Sequence, residues 1–106
     1  MQETVFVYTT WPSPGEAEAA GRALVEAKLC ACVNILQGMI SLYAWQGQIE
    51  RAEEAVMILK TRRGQVQPLM AAVKAAHPYD TPAIVELPAG SADPGFAAWI
   101  ARETGG

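Results

Sequence analysis

A chain of 106 residues with 51% apolar side chains can fill one hydrophobic core but not two, so a single domain over residues 1–106 is expected. A net charge of −3 with only 8 Lys and Arg excludes the broad basic face that nucleic acid requires, and no run approaches the roughly 20 apolar residues of a membrane span. The start MQETVFVYTT has no basic n-region and only a brief apolar run, which predicts a soluble, cytoplasmic protein with reduced thiols and neither nucleic-acid nor membrane partners.

The segment ETVFVYTT, residues 3–10, is apolar on both faces at Val5, Phe6, Val7 and Tyr8, the pattern of a buried central strand. A helix is predicted from Pro14, because Ser13 and Glu16 form a capping box and proline is favoured at the first helical position. Its stripe of Ala17, Ala20, Gly21 and Leu24 is small enough for close approach to a sheet.

Residues 30–45, CACVNILQGMISLYAW, favour extended chain, with a bulge or bend at Gly38. Within such a strand Cys30 and Cys32 share a face. Their Cα atoms would stand about 6.5–7 Å apart, at the limit for a disulfide, so both read as free thiols. Gln46-Gly47 is a hairpin turn, and QIERAEEAVMILKT returns as an equally long strand. Sixteen extended residues reach about 50 Å, more than a domain of this size covers. The ribbon therefore bends at Gly38 or pairs with another subunit, and association is the expectation.

The second helix is GQVQPLMAAVKAAH, with Val66, Leu69, Met70 and Val73 on one stripe and Pro68 in its first turn. Pro78 forces His77 out of helical backbone and ends it. TPAIVELP is the last strand. Asp93 then caps a terminal helix from Pro94, with Phe96, Trp99 and Ile100 as its docking face. Strand, helix, strand, strand, helix, strand gives an α+β, ferredoxin-like split βαβ fold with an antiparallel sheet and a long hairpin.

No nucleophile elbow, P-loop, HExxH or CxxC motif is present, so an enzyme is not expected. Two thiols and one imidazole suit a soft metal, although a free cysteine packs equally well as core. His77 either bonds the carbonyls of the helix end or faces a cleft. Glu50, Glu53 and Glu54 crowd the return strand as a solvated edge or a carboxylate metal site. The run from Lys60 to Arg63 is a solvated loop or an anion site ahead of the second helix. Trp45 has the character of an interface plug.

The strings KLCACVNI, SLYAWQGQIE, EAVMILKT and AHPYDTPAIVELP, with Trp99, occur in this order over nearly the whole chain and resemble the divalent-cation tolerance family CutA. The resemblance implies a ferredoxin-like homotrimer whose long hairpins extend the sheets of its neighbours. It also implies a part in tolerance of metal ions, copper foremost, with zinc or another divalent cation as alternatives. Carried over by motif, Cys32 of ACV and His77 of HPY are metal ligands, while Trp45, Lys60, Tyr79 and Glu86 line clefts between subunits. Some members add a cysteine at the end of the first strand, where this chain has Thr9. The same trimer is similar in fold to the signal-transducing PII proteins, which gives the alternative of a sensor holding a small anionic or zwitterionic ligand in the cleft.

Overall fold

The computed structural model describes residues 3–106, in the order β1 (Thr4–Trp11), α1 (Pro14–Glu26), β2 (Cys32–Trp45), β3 (Gln48–Arg62), a single 3-10 turn (Arg63–Gln65), α2 (Val66–Ala76), β4 (Ile84–Pro88) and α3 (Pro94–Glu103). The four strands form one antiparallel sheet in the order β2-β3-β1-β4, the ferredoxin-like arrangement. Alternation divides the side chains between two faces. Val5, Val7, Thr9 and Trp11 of β1 and Ala55, Met57, Leu59 and Thr61 of β3 are fully or almost fully buried on the inner face, toward α1 and α2. Phe6, Tyr8 and Thr10 lie on the outer face with Glu54, Val56, Ile58 and Lys60.

Local chemistry sets the boundaries. Ser13 Oγ accepts the Glu16 amide at 3.2 Å and starts α1 at Pro14, and Asp93 Oδ2 accepts the Phe96 amide at 3.0 Å and starts α3. Gln46 and Gly47 both have positive φ, 50° and 80°, as a tight two-residue hairpin requires. The register between β2 and β3 shifts between Leu36 and Met39, around Gly38 at φ 80°, which is the expected bulge. Gly21 allows α1 to lie on the sheet, because a Cβ there would stand 2.9 Å from Met57 Sδ and 3.0 Å from Val33 Cγ2. Gly21→Val should therefore cost about 1–3 kcal/mol despite the better helix propensity of valine over glycine, measurable as a shifted urea midpoint at unchanged slope.

Four expectations are corrected. Strand β2 begins at Cys32, so Cys30 and Cys32 do not share a strand face: Lys28 turns the chain at φ 62°, the Ala31 amide bonds Lys60 O at 2.9 Å, and Cys30 drops into the core at 1% exposure. Strand β4 is shorter than TPAIVELP and begins at Ile84, two residues beyond Pro82. Of the docking face of α3, Ile100 is buried but Phe96 is exposed and stacks on Trp99 at 6.1 Å. The basic run is not a solvated loop: Lys60 is buried, Arg62 holds the Thr104 carbonyl and hydroxyl, and Arg63 holds Glu3 and Glu86.

Beyond Ala55, the last residue of β3 paired to β1, the hairpin continues alone for Gln48–Glu54, about 23 Å of unsupported ribbon. Its apolar residues are uncovered: Leu42 is 70% and Ile49 77% exposed.

Candidate functional site

The outer face carries two clusters, one at each end. The first begins with His77, the C-cap of α2, whose extended backbone before Pro78 turns the ring onto the inner-face Trp11, while Tyr79 beyond it reaches the outer face. It stacks on Trp11 at a centroid distance of 4.1 Å and is 9% exposed. Its Nδ1 accepts the Tyr79 amide at 3.1 Å and its Nε2 lies 2.7 Å from the Thr10 carbonyl. An amide only donates and a carbonyl only accepts, so the hydrogen sits on Nε2 and both ring nitrogens are engaged. His77 thus both ends the helix and fixes the turn that follows.

That turn aims Tyr79 across the sheet, where its hydroxyl donates to Glu54 Oε2 at 2.8 Å. Burial first, and then the bond to the carboxylate, hold the Tyr79 hydroxyl well above the usual phenol range. Tyr79 and Glu54 form one wall of a groove of ≈ 1050 Å³ between the projecting hairpin and the α2–β4 turn. Tyr8, Tyr43 and Trp45 add aromatic surface, Glu50 and Asp80 add carboxylates, and no Lys or Arg among the described residues lines it. Such a groove repels anions and accepts cations or aromatic and apolar groups.

The second cluster sits at the opposite end of the face, where Cys32, Lys60 and Phe6 stand side by side on β2, β3 and β1. Lys60 Nζ donates to Asn34 Oδ1, lies 3.8 Å from Cys32 Sγ and 5.6 Å from the centre of the Phe6 ring. It is 9% exposed and pairs with no carboxylate among the described residues. Cys32 is half-buried, while burial pushes the Cys30 thiol in the core up to about 12 and leaves it an inert apolar group.

Of the residues singled out from sequence, the fold brings Trp45 and Tyr79 to one groove with His77 behind it, and Cys32 to Lys60. It does not join these pairs within one chain. Cys32 lies two strands across, about 10 Å, and four residues along, about 13 Å, from the Thr10 carbonyl that holds His77. Glu86 pairs with Val7 and so points to the inner face, where Arg63 grips both its oxygens at 2.8 and 2.7 Å and lowers its carboxyl below the usual range. Sequence reasoning missed the Tyr79–Glu54 bond and the seat of His77 on Trp11. The available signal was parity: Tyr8, Thr10 and Glu54 fall on the same side of their strands.

The CutA1 divalent ion tolerance model matches residues 5–103. The chain belongs to the CutA1 family. The divalent-cation tolerance protein CutA of Thermus thermophilus is 39% identical over 105 residues, spanning 99% of this chain and 100% of its own length. Among solved structures, the CutA1 divalent ion tolerance protein of Ehrlichia chaffeensis superposes with a TM-score of 0.94 at 36% identity, covering 98% of this chain and 97% of that one. The periplasmic divalent cation tolerance protein CutA of Archaeoglobus fulgidus superposes at 0.92 with 40% identity, over 95% and 98% of the two chains. In this CutA1-family chain, three His, Cys, Asp or Glu side chains nowhere converge on one point among the described residues. A single copy therefore offers a cation fewer donors than the four of a closed tetrahedral site. No helix is long and apolar enough to cross a membrane among the described residues.

Proposed function

We propose that this chain acts in divalent-cation tolerance as a cytoplasmic homotrimer, not as an enzyme, that binds a soft cation, copper foremost and zinc or another divalent ion next, with donors shared between subunits. The observation that carries the reading is the half-buried Cys32 thiol on an outer face where no three His, Cys, Asp or Glu side chains converge among the described residues. Thiolate is the preferred donor for Cu(I) and a good one for Zn(II). His77 is the second candidate ligand, and its ring can coordinate only by releasing the Tyr79 amide or the Thr10 carbonyl. Support for association comes from the uncovered hairpin and from Val85 and Leu87, 48% and 40% exposed on the same face. Within one copy an anionic or zwitterionic ligand is less well served, because the groove holding Trp45 and Tyr79 has carboxylates and no Lys or Arg among the described residues, and Lys60 and Glu86 stand elsewhere.

Titrating the purified protein with Cu(I), Cu(II) and Zn(II) tests the reading. Cys32→Ser should weaken copper binding by at least the roughly 10- to 100-fold that even a supporting group is worth. If neither Cys32→Ser nor His77→Ala changes the affinity for any of the three, these residues do not hold the cation.

A further inference from the structure

The two clusters of the outer face carry opposite, unmet charge. Lys60 has an ammonium with three donors, 9% exposed, and its neighbours are an amide oxygen, a thiol and an aromatic ring. A buried cation without a counter-ion is costly, and a carboxylate is the usual remedy. At the other end, Tyr79 occupies one oxygen of Glu54, and the groove around it holds two more carboxylates and no Lys or Arg. Lys60 and Glu54 lie six residues apart on the same face of one strand, about 20 Å between Cα atoms, so the rigid sheet prevents their meeting within a chain.

We propose that Lys60 of one copy and Glu54 of the next form an ion pair across the subunit interface, so that each groove is completed by a neighbour. The inference rests on the assembly proposed above and names the polar contact that sets its register. The exposed apolar residues of the hairpin and outer face supply the buried area. That burial is non-directional, and a charge pair placed among it selects one alignment of the two sheets. Each copy gives one lysine and one glutamate, so a closed ring leaves neither charge over. Tyr79 keeps the second oxygen of the carboxylate free to turn toward the incoming ammonium, which makes it a positioning residue.

Sedimentation at low micromolar concentration, applied to wild type, Lys60→Met, Glu54→Gln and the double variant, tests the pair. Each single substitution should weaken assembly by about tenfold or more, and the double variant should be no weaker than the worse single one. Multiplicative losses in the double variant, with wild type assembled, overturn the pair and leave the assembly standing. A monomeric wild type overturns both. Should Lys60→Met fail to fold, the side-chain nitrogen resonances of the three lysines, Lys28, Lys60 and Lys74, give a second test in Glu54→Gln alone. A shift confined to Lys60 supports the pair, and an unmoved Lys60 signal overturns it.

Discussion

Trp11→Ala is expected to lower the unfolding free energy by about 3–5 kcal/mol, the range for deleting a fully buried large aromatic side chain. Trp11 is 1% exposed, is the largest fully buried side chain among the described residues, and is the surface on which the His77 ring lies. Its removal leaves a cavity under the turn that carries Tyr79, so the loss should reach the groove as well as the core. Trp11→Phe should cost far less, because the indole Nε1 is buried without a hydrogen-bond partner among the described residues and its deletion removes an unsatisfied donor. Urea unfolding of the three proteins at one fixed protein concentration reads both effects. Equal losses in Trp11→Ala and Trp11→Phe would mean that the full indole, and not the single aromatic ring that phenylalanine keeps, is what matters at this position.

The second large effect is alkaline. The Cys30 thiol is held neutral by burial, its titration raised from 9.0 to about 12, with the nearby Cys32 adding to the shift. A group whose folded value is raised contributes stability that is complete below its unfolded value and is lost as pH climbs through the folded one. The window runs from pH 9 upward, and by pH 11 the loss should be about 2–3 kcal/mol. Cys30→Ala should be less stable than wild type at pH 8 because it leaves a small cavity, yet should fall less steeply between pH 8 and pH 11. All other side chains are common to both proteins, so the difference in slope isolates the thiol. Identical slopes would place Cys30 in a wetter environment than the core that surrounds it.

How much of this could be read from the chain depends on the range of each interaction. The features legible in advance are local. Ser13 and Glu16 are three residues apart, Gln46 and Gly47 are adjacent, Gly38 interrupts an alternating run, and Pro78 acts on the residue before it. Each was expected and each is present. The order of elements then sufficed for the split βαβ topology.

The misses depend on contacts between residues distant in sequence. Cys-Ala-Cys-Val reads as extended chain, and only the Lys28 turn and the amide bond from Ala31 to Lys60 place Cys30 in the core. The basic run looked like one patch. In the fold, Lys60 and Arg62 share the outer face of β3 but reach different partners, Asn34 and the end of α3, and the 3-10 turn sends Arg63 to Glu3 and Glu86. Tyr79 and Glu54 are 25 residues apart and meet only because β1 and β3 set their register. The candidate site was thus recognisable as a set of residue types, while its division into two clusters was not.

Strand β4 has a further consequence. It spans only Ile84–Pro88, follows Pro82 by two residues and ends in a residue that has no amide hydrogen to give. The rim beyond it is a poor template, whereas the opposite rim, the 14 residues of β2, is long and open. A sheet with one blunt margin and one receptive margin offers a neighbouring strand a single side, which works against the endless lateral stacking by which uncovered ribbons become fibrils.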